Sequence, residues 1–213
     1  MGKVRFQVAI SLDGYIAGPE QSEANPLGIR GMELHQWMFD LEAWRKGMGQ
    51  QGGEVNASTP VIEESRANLG AHVMGRNMFG GGPGPWREDR PWNGWWGDDP
   101  PFHKPVFVIT HHPRQPLEMD GGTTFFFVTD GIESALSQAR VAAGDLDVAI
   151  GGGASVLRQY LAAGLVDEFE LHIAPTLLGG GERPLDDLGD IKLEQVRVIE
   201  APGDAHVKHR VTR

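Results

Sequence analysis

The sequence predicts an α/β fold, with a mostly parallel central sheet and antiparallel hairpin strands at its C-terminal end. Three observations predict it. Short apolar runs, of the kind found in strands buried on both faces, alternate with helical segments over most of the 213 residues. Several of these runs lead through glycines or polar residues into a helix. The last two segments, Ile191 to Glu200 and Ala205 to Val211, flank Pro202-Gly203 as the arms of a hairpin do.

Taken in order, Val4 to Ile10 reads as a buried strand that ends at the turn-forming Ser11-Leu12-Asp13-Gly14. Met32, Leu34, Trp37, Met38, Leu41 and Trp44 are spaced for one amphipathic helix over Met32 to Trp44, with Trp37 and Trp44 in the core. Gly47 and Gly49 would stop it. Ser58-Thr59-Pro60 opens a second helix that ends at Gly70, with Pro60 in the first turn. Ala71 to Met74 is a strand leading to Gly75-Arg76-Asn77. Gly80 to Pro105 is an insertion rich in Gly, Pro and Trp.

Val106 to Thr110 and Thr124 to Val128 are further strands, and Ile132 to Ala143 is a helix. Asp147 to Ile150 runs as a strand into Gly151-Gly152-Gly153, and Ala154 to Ala163 is the following helix. Glu168 to Ile173 alternates like a strand half exposed to solvent. With no repeat and no boundary signal, residues 1–213 read as a single domain carrying the insertion.

A net charge of −10 argues against a nucleic-acid binder, which needs a basic face, but leaves room for a local anion pocket. The absence of cysteine removes disulfides, thiolate chemistry and Cys-ligated metals. No apolar run approaches the roughly 20 residues of a membrane helix. Met1 to Ile10 reads as a strand rather than a leader, so the expected location is cytoplasmic.

Three segments carry candidate chemistry. Val148 to Ser155 is a buried strand that enters a glycine run and then a helix. Glycines admit a ligand close to the backbone, and the N–H groups and dipole of the helix start suit a phosphate. The plainer reading is a tight strand-to-helix turn. His72 to Met78 delivers Gly75, Arg76 and Asn77 after a strand; its plainer reading is a surface arginine. Val108 to Arg114 ends a strand in Thr110, His111, His112 and Arg114, a basic patch able to hold the 2′-phosphate that distinguishes NADPH from NADH. Adjacent histidines on an extended chain point apart, so no metal site is expected there. In an open α/β sheet such strand ends share one rim, where ligands bind.

Ser11-Leu12-Asp13-Gly14-Tyr15-Ile16-Ala17, Val73-Met74-Gly75-Arg76, Ile150-Gly151-Gly152-Gly153, and Leu165-Val166-Asp167-Glu168 followed by Ala174 to Gly181 occur in this order. This ordered set resembles the dihydrofolate-reductase superfamily, in particular the reductase domain of riboflavin-biosynthesis deaminase-reductases and its stand-alone relatives. The resemblance spans the chain except for residues 80–105. It implies a dihydrofolate-reductase-like three-layer fold and an NADPH-dependent oxidoreductase that passes a hydride to a pyrimidine- or pterin-like substrate. The activity it implies is that of 5-amino-6-(5-phosphoribosylamino)uracil reductase. The alternatives are dihydrofolate reduction and a nucleotide-binding protein of the same fold without catalysis. The resemblance also implies a homodimer, with the C-terminal strands as the interface. No zinc-deaminase half accompanies it, because there is no Cys-x-x-Cys.

Carried onto this sequence, the resemblance puts Ala9, Asp13 and Gly14 near the nicotinamide. It puts Gly75, Arg76, Asn77, Gly151, Gly152, Gly153, Ala154 and Ser155 at the cofactor phosphates. Thr110, His111 and Arg114 fall at its 2′-phosphate end. Reducing a C=N bond adds a hydride to carbon and a proton to the heteroatom. Asp13 is the first candidate for substrate orientation or proton relay, against a plain turn before Gly14. In true dihydrofolate reductases a carboxylate on the helix before Met-Gly-Arg handles the pterin; here Glu63 and Glu64 lie later in that helix, so its register does not supply the equivalent. Glu64 is the second candidate for the proton, against a solvated surface charge. The insertion's tryptophans fit a lid over a flat ring, a structural plug or a dimer contact.

Overall fold

The computed structural model describes residues 2–212. Met1 and Arg213, which fall within the first expected strand and the expected domain, lie outside the described residues. The first half of the chain forms β1 (Val4–Ser11), a 3-10 turn (Gly31–His35), α1 (Gln36–Phe39), α2 (Glu42–Gly47), α3 (Thr59–Arg66), β2 (Leu69–Gly75) and α4 (Arg76–Phe79). The second half forms β3 (Pro105–Ile109), β4 (Leu117–Glu118), β5 (Thr124–Val128), α5 (Gly131–Ala143), β6 (Asp147–Gly152), α6 (Ala154–Ala162), β7 (Glu168–Ala174), β8 (Lys192–Ala201) and β9 (Asp204–Thr212). The strands build one nine-stranded sheet in the order β4-β5-β3-β2-β6-β1-β7-β9-β8. From β5 to β7 all neighbours are parallel. β4 pairs antiparallel at one edge, and the β8–β9 hairpin does so at the other.

Period-2 alternation along the strands assigns each side chain to a layer. Val73, Phe107 and Val128 enter the main core with Phe6, Ile150, Leu157 and Phe169. Their neighbours Met74, Val106, Val108 and Phe125 point to the opposite face. There Phe79 and the insertion's Trp86, Trp92 and Trp96 cover them. Trp86 stands edge-on to Phe127 at 5.0 Å, and Trp96 is stacked on Phe125 at 6.0 Å. Trp92 Nε1–H donates to Phe79 O at 2.8 Å, and Trp86 Nε1–H donates to His112 O at 2.8 Å. The insertion is therefore a structural plug on that half of the sheet, while α5 packs across β2, β3 and β6 on the other side.

Several elements differ from the sequence expectation. The second helix stops at Arg66 instead of Gly70, because Ala67 turns extended and Leu69 and Gly70 already belong to β2. Trp37 and Trp44, expected in the core, are only half-buried. The Met32 to Trp44 helix is broken into the 3-10 turn, α1 and α2. Leu41, with ψ at 133°, is extended and bridges to Glu54, whose N–H donates to Asp40 O at 2.7 Å. That long-range bridge takes backbone groups a continuous helix would have used. β7 is buried along nearly its whole length, because it lies between β1 and β9 and is covered on both faces. Its alternating polar residues find partners instead of solvent: Glu168 meets Lys3 and Lys208, Glu170 meets Arg197, and His172 meets His206.

The last of these contacts belongs to a buried polar cluster that ties the hairpin to the start of α3. His172 Nδ1 and His206 Nδ1 are 2.8 Å apart, and His206 Nε2 lies 2.8 Å from Ser58 Oγ and 3.1 Å from Asp204. Burial lowers the His206 imidazole to about 4 and raises the Asp204 carboxyl to about 6. A carboxyl whose pKa is raised by folding supports the fold fully below its unfolded value, and that support is lost as pH rises through the folded value. Asp204→Asn lacks this titration. Its stability relative to the wild type should therefore improve between about pH 4 and pH 6 and level off above, as read by urea unfolding across pH.

Tyr160 is fully buried, and its hydroxyl donates to Ile132 O at 2.7 Å, joining α6 to α5. Tyr160→Phe should cost about 1 kcal/mol, the loss of one hydrogen bond. Tyr160→Ala adds a cavity and should cost about 3–5 kcal/mol in the same measurement.

Candidate active site

The glycine run sits where β6 becomes α6. Parallel pairing of β6 with both β1 and β2 places this turn at the centre of the sheet. Gly153 is the N-cap of α6, and no side chain caps the helix, so its first N–H groups remain free for a ligand. A Cβ on Gly153 would meet no atom within 4 Å, so the space above it is open. Gly152 has φ +118°, a conformation that glycine permits.

One strand over, β2 delivers Gly75, Arg76 and Asn77. A Cβ on Gly75 would sit 2.8 Å from Val156, so this glycine is required for the strand to pass beneath α6. The Arg76 guanidinium lies over the Trp86 ring at 3.3 Å from its centroid and donates to the carbonyls of Gly80 and Gly81. Burial, with the nearby Arg114, lowers its pKa to about 10, which leaves it cationic at neutral pH. A further strand over, β3 ends at buried Thr110, whose Oγ1 accepts from the N–H of His112 at 3.2 Å.

These strand ends open onto one cleft of about 500 Å³. Gly75, Arg76, Asn77, Thr110 and His111 line it together with Gly151 to Ser155, so the three separate sequence segments meet at a single rim. The cleft continues past β1 to Ile16, Ala17, Pro26, Leu27, His35 and Glu182. Gln159, Pro26, Leu27, His35 and Glu182 were not singled out in the sequence. Nothing in their local pattern marks them, since they reach the cleft only through the sheet order.

Other candidates lie elsewhere. Arg114 does not line the cleft; it donates to Trp92 O at 2.5 Å and to Asn93 Oδ1 at 3.2 Å, holding the insertion in place. Ala9 packs under the 3-10 turn against Leu34 and Ala174. Gly14 lies beside Arg183, where a Cβ would meet the guanidinium at 3.1 Å. Asp13 is a clamp: it accepts from Ser11 Oγ at 2.6 Å, Leu178 N at 3.1 Å and Gly179 N at 2.7 Å. The Ser11 hydroxyl, with the Gly179 and Leu178 N–H groups, holds its carboxyl at about 2, too acidic for a proton donor at neutral pH. Glu64 is ion-paired to Arg197 and Lys208, each at 2.6 Å, and does not line the cleft. Its position late in α3 aims it at the hairpin.

The model of the RibD C-terminal domain family matches residues 2–207. The chain belongs to that family. No curated protein sequence matches it. Among solved structures, this family member is similar to a putative riboflavin biosynthesis protein of Shewanella sp. PV-4, with 21% identity, 99% of each chain covered and a TM-score of 0.60. Acinetobacter baumannii RibD matches at 20% identity and a TM-score of 0.59; all of this chain corresponds to 59% of that one. Enterococcus faecalis dihydrofolate reductase, solved with NADP(H), matches at 13% identity and a TM-score of 0.52, covering 100% of this chain and 98% of that one. At these identities the structures establish the fold, which is dihydrofolate-reductase-like. The family places the chain among riboflavin-biosynthesis-type reductases, and among the described residues no helix is long and apolar enough to cross a membrane.

Trp86 carries a specific expectation for this RibD-family site, because it packs against both Arg76 and Arg114. Trp86→Ala should cost about 3 kcal/mol in thermal unfolding. Trp86→Phe keeps a ring beneath both guanidinium groups and should recover most of that loss.

Proposed function

We propose that the chain is an NADPH-dependent reductase that transfers a hydride to a small heterocyclic acceptor, of the kind reduced in riboflavin biosynthesis. The observation that carries this reading is the uncapped N-terminus of α6 under open glycines, flanked along one rim by Arg76, Asn77 and Thr110 to His112. A helix start and a cation side by side suit a pyrophosphate, and the histidines suit a further phosphate. The cleft volume falls within the range of small-molecule sites.

When bound, NADPH supplies the hydride. The protein's own part is to grip the phosphates at Gly152 to Ser155 and Arg76, to hold the two rings in reach of one another, and to keep bulk water away. The plug contributes by fixing Arg76 from below. Asp13 contributes by pinning the loop after β1 to Leu178 and Gly179.

The same reading places the protein in the cytoplasm, as the seat of NADPH-dependent biosynthesis, and as a homodimer. β8 supports the second point, because it ends the sheet with Leu193, Val196 and Val198 exposed on an unpaired edge.

Gly153→Asp tests the cofactor site. With φ at −74° and open space above it, the side chain should be accommodated without unfolding, yet it puts a carboxylate where a phosphate would lie. NADPH affinity by titration calorimetry should fall at least tenfold; unchanged affinity would exclude the glycine run. Cofactor oxidation followed by absorbance, with dihydrofolate, ribosylamino-pyrimidine and quinonoid acceptors, tests the activity. Saturable NADPH binding without turnover of any acceptor would favour a non-catalytic binder. Val198→Glu should convert a dimer to a monomer in light scattering.

A further inference from the structure

We infer that His35 is the group that hands a proton to the acceptor's heteroatom as the hydride reaches the neighbouring carbon; this rests on the reductase reading above. The sheet order supplies the first argument. Thr110 follows β3, the glycine run follows β6, and the 3-10 turn carrying His35 packs over β1 and β7. β3 and β1 are separated by three strand spacings, roughly 14 Å at 4.7–4.9 Å each. His35 therefore lies at the end of the cleft away from Thr110 and His111, on the far side of the glycine run. Ile16, Ala17, Pro26 and Leu27 wall that end and suit a flat ring.

His35 is held in place by its neighbour. Leu34 is fully buried against Ala9 and Ala174, which anchors the turn to β1 and β7. Its own Nδ1 lies 3.4 Å from Gly31 O in the preceding turn. Donation to that carbonyl keeps the Nδ1 proton in place, so the proton that comes and goes sits on Nε2. Among the described residues Nε2 has no protein partner.

The groups facing His35 leave few rivals. On its own turn, Glu33 is tied to Arg30 at 2.8 Å. From β7, His172 approaches but is engaged with His206, and burial lowers it to about 3. Beyond β1, Asp13 is a committed carboxylate, and Glu64 is paired to the hairpin. Glu182 shares the cleft and is exposed. Burial lowers His35 below its usual value, against the opposing effect of the Gly31 carbonyl. Its acidic form is thus a ready donor present in a minority at neutral pH. In the step itself, the carbon of a C=N bond gains a hydride from the reduced nicotinamide. The π pair moves to nitrogen and takes the Nε2 proton, leaving neutral imidazole, an amine and oxidised cofactor. Solvent in the open cleft then reprotonates His35.

The test compares wild type, His35→Gln and Glu182→Gln. For the wild type, kcat/KM with the best acceptor should fall tenfold per pH unit above the His35 pKa. His35→Gln should lower it about 100-fold and flatten that limb, with the NADPH dissociation constant changed less than about twofold. His35→Asn replaces it if the glutamine variant does not fold. Independently of turnover, the His35 imidazole resonances should shift, and their titration midpoint move, when 5,6-diaminouracil is added to the NADP⁺-bound protein. A pH limb that survives in His35→Gln, or one abolished only by Glu182→Gln, overturns the proposal. So do His35 resonances unmoved by saturating 5,6-diaminouracil. Failure of the wild type to bind NADPH overturns the reductase reading together with this one, whereas binding with an unaltered His35→Gln profile overturns the His35 assignment alone.

Discussion

Parallel pairing of β6 between β1 and β2 is the constraint on which the site depends. Parallel strands share a direction, so their C-terminal ends fall on one rim, and whatever follows each strand is presented there. Here β2 is followed by Arg76 and Asn77, β3 by Thr110 and His111, and β6 by the glycine run. None of these groups makes a site alone. Burial of the central strands on both faces, with Val4, Val73, Val148 and Ile150 almost wholly inaccessible, holds the register that brings them together.

The acidic chain and the anion-binding rim are compatible because most of the basic side chains are committed elsewhere. Arg197, Lys3 and Lys208 neutralise carboxylates beneath the hairpin, and Arg5 pairs with Asp147 at the start of β6. Arg114 anchors the plug. Arg76 remains at the rim, its charge kept away from bulk water by the Trp86 ring, which strengthens its attraction for an anion. The plug therefore acts on the site through the Arg76 guanidinium, through Pro83 and Gly84 in the cleft wall, and through the Trp86 bond to His112 O, while its tryptophans serve the fold.

The buried histidine and carboxylate cluster under the 3-10 turn has a separate role. His172, His206, Ser58 and Asp204 join β7, β9 and the start of α3 where an apolar core could have served. Burial keeps both imidazoles neutral, so they join the strands through hydrogen bonds rather than charge.

The local pattern by itself determined the strands, the glycine turn, the Met-Gly-Arg segment and the terminal hairpin. Each depends on residues close together in the chain: apolar runs, glycines before helix starts, and a Pro-Gly turn. What it could not decide depended on partners far away. Asp13 became a clamp through Leu178 and Gly179, Glu64 was captured by Arg197 and Lys208, and Arg114 by the backbone of Trp92. The helix over residues 32–44 was broken by the backbone of Glu54. His35 and Glu182 carry no local signature, since only the closing of the sheet sets them in one cleft. Side-chain chemistry can be read along the chain, but whether a charged group is free to act is decided by what tertiary packing places within about 3 Å of it.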